Sequence, residues 1–202
     1  MDVDGSNITQ LTYNSSDDRY PCFFPDGSKI AFATDRDKNW EIYIMDSDGE
    51  NQKNLTYRLG DDKYPAISPD GTRITFTANI DGNLEIFIMN IDGSGQGNLT
   101  SNDHDDEYSS FSPDGTKIVF ESIRSDNWEI YLMNFDGTDQ KRLTFSSVSS
   151  WNASFAPDGS RIAFDSDDDG NSEIYIMNID GTGITRLTNN PAKDTFPAFS
   201  PK

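Results

Sequence analysis

Apolar and polar side chains alternate along this chain in short runs with a period of two. Arg73-Ile74-Thr75-Phe76-Thr77 puts Ile74 and Phe76 on one face, which predicts a strand with one buried side. Glu85-Ile86-Phe87-Ile88-Met89 is apolar on both faces after its glutamate, which predicts a strand covered on both sides. Turn residues bracket these runs. Pro69-Asp70-Gly71 precedes the first, Asn79 to Asn83 joins the two, and Asn90-Ile91-Asp92-Gly93 follows the second. Asp-Gly between two β-like runs signals a hairpin, because glycine tolerates the positive φ of a tight turn. A short apolar run, Tyr64 to Ser68, leads in, and a more polar one ends at Leu99-Thr100. The segment reads as four antiparallel strands rich in β-branched and aromatic residues, without helix periodicity.

The same pattern returns with a period of 44 residues. Pro-Asp-Gly begins at Pro25, Pro69, Pro113 and Pro157, and Pro201 lies one period further on. Isoleucine recurs at 30, 74, 118 and 162, glutamate at 41, 85, 129 and 173, and leucine at 55, 99, 143 and 187. Four-stranded units at such a period predict an all-β protein, a β-propeller of antiparallel blades. Four complete blades are placed at about 20–56, 64–100, 108–144 and 152–188, in a single domain over 1–202 without linkers. The aromatic and aliphatic positions Phe23, Ile67, Phe111, Phe155 and Phe199 are expected in blade-to-blade core, as are the Ile-x-Phe pairs.

The two ends are in register with the repeat as well. Met1-Asp2-Val3-Asp4-Gly5 matches Met45-Asp46-Ser47-Asp48-Gly49. A fourth strand is therefore expected near Asn7 to Thr12 and a first strand near Phe196 to Ser200. These are two parts of one incomplete blade. The expectation is a partial array whose open blade edges favour self-association, since propellers normally close by pairing their ends.

Charge narrows the partners. The net charge of −19 disfavours nucleic acid and anionic membrane surfaces, and suits a basic protein, a cation or a neutral glycan. An aromatic content of 12% argues against disorder despite the polar average. Cys22 is the single cysteine, so no intrachain disulfide forms, and its place beside Phe23 suggests a buried thiol. No apolar run reaches membrane-spanning length, and the residues given carry no basic-then-apolar signal segment.

In a four-stranded meander alternate turns fall on opposite rims. One rim collects the turns between second and third strands and the links between blades, and it is rich in aspartate. Asp35, Arg36, Asp81, Arg124, Asp126, Trp151 and Asp168 are the candidate partner-binding residues there. Asp165, Asp167 and Asp169 alternate before Gly170 as at the start of a calcium loop, although Ile176 stands where a bidentate glutamate would close it. Calcium is the candidate ion, and no cofactor is required. His104 is the single histidine and no Gly-x-Ser-x-Gly elbow is present, so no catalytic residue is assigned.

Ser68-Pro-Asp-Gly-Thr-Arg-Ile-Thr-Phe76 resembles the Pro-Asp repeat of TolB-like propellers, relatives of the WD-repeat propellers. Asp126 to Gly137 and Arg142-Leu143-Thr144 resemble it too, and the likeness recurs in all four repeats. It implies a non-catalytic scaffold that meets a protein partner through a rim or central channel, at a periplasmic or extracellular site. The separate N-terminal domain of TolB has no counterpart in these residues. The same propeller type occurs in larger hydrolases and lyases and in secreted repeat proteins. A glycan- or substrate-binding portion of such an enzyme, and a structural repeat of a cell-surface protein, are the alternatives.

Overall fold

A computed structural model describes residues 1 and 4–200, apart from 81 and 169. Among the described residues sixteen strands form four sheets of four. Blade 1 holds β1 (Asp18–Phe23), β2 (Lys29–Thr34), β3 (Glu41–Asp46) and β4 (Lys53–Asn54). Blade 2 holds β5 (Asp62–Ile67), β6 (Arg73–Ile80), β7 (Asn83–Asn90) and β8 (Gly97–Asn98). Blade 3 holds β9 (Asp106–Phe111), β10 (Lys117–Ser122), β11 (Glu129–Asn134) and β12 (Lys141–Arg142). Blade 4 holds β13 (Ser150–Phe155), β14 (Arg161–Ser166), β15 (Glu173–Asn178) and β16 (Thr185–Arg186). Strand order is sequential in every sheet and all pairings are antiparallel, as the turn chemistry predicts. Each Pro-Asp-Gly closes a tight turn: the Gly27, Gly71, Gly115 and Gly159 amides donate to the carbonyls of Phe24, Ser68, Ser112 and Ala156 at 2.8–2.9 Å.

The first strands lie side by side, β1 against β5, β5 against β9 and β9 against β13, and so form the inner wall. The core sits between neighbouring sheets. Ile74 and Phe76 of blade 2 and Ile118 and Phe120 of blade 3 are fully buried, and Ile86 of β7 packs in one cluster with Phe111 of β9. The second and third strands are buried on both faces because every inner blade has a neighbour on each side.

The outer faces differ. Phe23 is 62% exposed, whereas its repeat mates Phe111 and Phe155 are buried. The reason is positional: Phe111 is covered by blade 2 and Phe155 by blade 3, while Phe23 points from blade 1 away from blade 2. Leu187 is likewise exposed at the far face of blade 4, unlike Leu55 and Leu143. Phe24, not Phe23, carries the core contact in blade 1. Neither 7–12 nor 196–200 forms a ladder, in contrast to the strands expected there. Their backbones still follow the repeat. Leu11 packs on the blade 1 core, and a Cβ on Gly49 would meet the Leu11 carbonyl at 2.6 Å, as one on Gly93 would meet that of Leu55 at 2.8 Å. Glycine ends these turns because the preceding leucine's backbone crosses so closely.

A buried carboxylate ties each blade to the link that follows it. Glu41, Glu85, Glu129 and Glu173 are almost fully buried. Each accepts a short hydrogen bond from the threonine at 56, 100, 144 or 188. Each also accepts from the asparagine two residues before it, at 2.8–3.1 Å. That asparagine reaches two carbonyls of the link, as Asn83 does to Asn102 and His104 at 2.8 and 3.0 Å. A buried charge is tolerated when several donors surround it. The Thr188 hydroxyl, with the Asn190 amide, Asn171 and Arg186, pulls the Glu173 carboxyl down to about 2.

Candidate interaction surface at the channel wall

The inner wall carries a feature that regular strands do not. Between the first and second strands the ladder slips once in every blade, between Arg19 and Cys22, Lys63 and Ala66, Glu107 and Ser110, and Trp151 and Ser154. At each slip one residue adopts a left-handed backbone: Tyr20, Tyr64, Tyr108 and Asn152 have φ of 53–56°. Phe196, one period further, has φ of 57°. Left-handed backbone costs a bulky residue about 1–2 kcal/mol, so five such positions in register are imposed by the surrounding fold.

The bulges bring the tyrosines together. Tyr20 and Tyr64 rings are 4.3 Å apart, and Tyr64 stacks on Tyr108 at 3.8 Å with planes 27° apart. Together with Pro65, Cys22, Asn152 and Phe196 they line a cavity of about 350 Å³ at the centre of the array. Burial and mutual hydrogen bonding push the Tyr64 phenol up, and burial pushes up Tyr108 and the Cys22 thiol. None of these groups ionises near neutral pH, so the wall presents aromatic and amide surface.

Acids behind the wall hold the last two left-handed residues. The Asn152 amide donates to Glu121 at 2.5 Å, and the Phe196 amide donates to Asp165 at 3.1 Å. Asn152 also donates its side-chain amide to Asp165 at 2.9 Å. Burial raises the Glu121 carboxyl well above its ordinary value and raises that of Asp165. Burial, with Asp105 beside it, takes Glu107 to about 7. Asp165 is thus engaged at the bulge, and Asp167 accepts from Ser172 at 2.5 Å. Asp169 lies outside the described residues. Among those described, no three His, Cys, Asp or Glu side chains group as a metal would need.

The proposed rim residues are spread one or two per blade and do not meet in one patch. Asp35 accepts from the Asp17 amide at 2.9 Å, and Asp126 is exposed with φ of 72°. Trp151 is half-buried and pairs with Asp165 in the ladder. Asp81 lies outside the described residues. Asp168 is exposed and accepts from the Ser146 hydroxyl at 2.5 Å. Arg36 and Arg124 turn inward instead of outward. Arg36 binds Asp18 at 3.1 Å and Gln52 at 2.7 Å and lies 4.6 Å from the Tyr43 ring centre. Arg124 repeats this with Asp106 at 2.7 Å, Gln140 at 2.6 Å and Tyr131 at 5.2 Å. The left-handed tyrosines had no signal in the sequence, because tyrosine disfavours that backbone; the Tyr-Pro pairs at 20 and 64 were the one trace.

Sheets of four sequential antiparallel strands, arranged around an inner wall of first strands, are propeller blades. A family model described as the TolB beta propeller domain matches residues 60–154. The chain is similar in fold and repeat to TolB-like β-propellers. TolB from Acinetobacter baumannii superposes with a TM-score of 0.82 at 27% identity, over 96% of this chain and 49% of that one. A putative TolB from Agrobacterium tumefaciens gives 0.76 at 26% identity, over 82% of this chain and 63% of that one. The chain therefore spans about half to two thirds of these relatives. An oligogalacturonate lyase from Vibrio parahaemolyticus shares the fold, with a TM-score of 0.68 at 18% identity over 87% of this chain and 54% of that one. No curated protein matches the sequence.

Proposed function

We propose that this chain is a non-catalytic propeller scaffold that binds a protein partner across the channel wall formed by its first strands. The observation that supports it most is the left-handed backbone repeated at residues 20, 64, 108, 152 and 196, which brings Tyr20, Tyr64, Tyr108, Asn152 and Phe196 to one central cavity. Backbone strain repeated in register is a feature that folding alone does not require. Stacked tyrosines supply rigid, amphipathic contact area of the kind that anchors protein interfaces. The TolB-like fold supports an interaction role, and the same likeness supports the reading of a periplasmic setting.

The test is capture from an extract of the source cells, with the wild type and a Tyr64→Ala/Tyr108→Ala variant run in parallel. Retention of the partner should drop about tenfold or more in the variant, with its far-ultraviolet circular dichroism unchanged. Equal retention by a folded variant would remove the channel wall as the contact surface.

A further inference from the structure

Each blade has a socket between its outer strands and the link before it, and in three blades a guanidinium fills it. In blades 1 and 3 it comes from the turn after the second strand, as Arg36 and Arg124. In blade 2 that turn position is Ile80, and the group comes from the link instead. Arg58 lies 4.2 Å from the Phe87 ring centre and 5.5 Å from that of Phe76, and binds Gln96 at 2.5 Å. Arg36 takes the corresponding partners, Tyr43, Phe32 and Gln52. Two different backbone positions thus deliver the same cation to the same ring pair and the same glutamine.

In blade 4 neither position is basic. The turn residue is Asp168, the link residue is Ser146, the glutamine is replaced by Ile184, and the buried aspartate by Ser150. The rings remain: Phe164 and Tyr175 stack at 5.6 Å with planes 22° apart. The shortened side chains leave a cavity of about 240 Å³, lined by these rings, Ser150, Ser166, Asp168 and Ile184. That is below the size of a drug-like pocket and suits one side chain. The two arginines on neighbouring fourth strands are engaged elsewhere: Arg142 binds Glu129 and the Thr144 carbonyl and lies over Phe145, and Arg186 binds Glu173 and the Thr188 carbonyl.

We propose that this cavity receives an arginine side chain from a partner protein. Ring faces of this arrangement carry a guanidinium in the three other blades, at 4.2–5.6 Å. The attraction is that of a cation for the ring quadrupole, and it strengthens where water is excluded. The charge geometry is inverted to match an incoming ligand. In blades 1 and 3 the turn supplies the cation and the strand below supplies the carboxylate. In blade 4 the turn supplies the carboxylate, Asp168, at the exposed mouth, so the cation has to come from outside. The Ser150 and Ser166 hydroxyls, buried below, can accept from a planar five-donor fork, and a partner arginine's stem would lie along Ile184. A net charge of −19 attracts a basic protein surface to the chain. The site is separate from the channel wall and does not depend on it.

The experiment is a titration of the full chain followed by amide NMR, with N-acetyl-arginine methylamide, N-acetyl-lysine methylamide and free arginine as probes. The blocked arginine should move the Ser150, Phe164 and Tyr175 signals saturably, with a roughly millimolar Kd for a single side chain. The lysine probe should bind at least about threefold more weakly, lacking the planar fork. Free arginine should be no tighter than the blocked form, because its carboxylate meets Asp168. The Asp168→Arg/Ile184→Gln variant, which supplies its own guanidinium, should lose the response and melt at a higher temperature. Should that variant fail to fold, Asp168→Asn at this exposed position should weaken the blocked arginine several-fold. Shifts that never saturate, equal binding of the lysine probe, tighter binding of free arginine, or an unchanged response in either variant would each overturn the proposal.

Discussion

The carboxylate latch and the guanidinium socket lie within the same blades, yet the latch is built one way and the socket three ways. Glutamate, threonine and asparagine hold their latch positions in all four repeats, with donor distances that barely change. The socket draws its cation from the turn in blades 1 and 3, from the link in blade 2, and has none of its own in blade 4. The latch fixes the passage from one blade to the next, so any departure misaligns every later blade. The socket sits at the outer edge, where a blade has only to cover two rings. A repeat therefore tolerates change where a contact is local and resists it where geometry propagates.

The same position shows the cost of moving the cation. Asp18, despite burial, is held below its ordinary value by hydrogen bonds from Thr34, Asn14, Thr12 and Arg36. Asp62 is fully buried, and burial pushes it up to about 7 against the weaker pull of Arg58 and Thr56. Its ordinary value is 3.8. Below that pH both folded and unfolded chains bind the proton, and stability is unaffected. As pH rises toward 7 the unfolded chain ionises first, so stability falls until both states are ionised. Glu107 acts with the same sign over the same window. Glu173 acts oppositely: its contribution is present above the ordinary glutamate value and is lost as pH falls toward 2.

The largest expected effect therefore comes from Asp62→Asn. At pH 8 it should stabilise the fold by as much as about 4 kcal/mol, and the gain should vanish near pH 4. Urea midpoints measured across that range check this; a gain independent of pH would mean that Asp62 is not the titrating group. Next is Glu85→Ala, which strands the Thr100 hydroxyl and the donors on Asn83 and Asn102. Unmatched buried donors of this kind cost about 1–3 kcal/mol each, so chemical denaturation should show a loss of about 3 kcal/mol or more. A loss below about 1 kcal/mol would show that the latch is not what aligns the blades.

Arg58→Asn tests the socket directly. It should cost about 1–2 kcal/mol by uncovering Phe76 and Phe87. Adding Ile80→Arg to it should recover that loss and pull Asp62 down, because the pattern of blades 1 and 3 is then restored. Failure of the double variant to recover would mean that link and turn are not interchangeable. Asp70→Ala, at an exposed turn, is the smallest: it removes acceptors for Ser68 and Thr72 and should cost about 0.5–1 kcal/mol in the same assay.

Most of the architecture was readable from spacing. Proline, aspartate and glycine placed the turns, and the Ile-x-Phe pairs placed the buried face of each second strand, because these choices answer to neighbours close along the chain. Phe23 was read as core like its repeat mates and is exposed, since burial there depends on whether another blade lies alongside. Arg36 and Arg124 were read as rim residues from their turn positions, but their side chains fold back onto rings ten or fewer residues away in sequence. The stacked tyrosines were legible as a repeat, but their left-handed backbone was not.

Local patterning and period were enough to set strand, turn and blade, because each is a balance of short-range propensities and alternating burial. Which carboxylate keeps its proton, how a link arginine reaches the next blade's rings, and which tyrosines meet at the wall depend on distances between residues 13 to 44 positions apart. Those distances are set by how the sheets pack against one another. In that low-dielectric packing burial takes the Asp62 carboxyl to about 7, and an arginine placed in the link offsets it only in part.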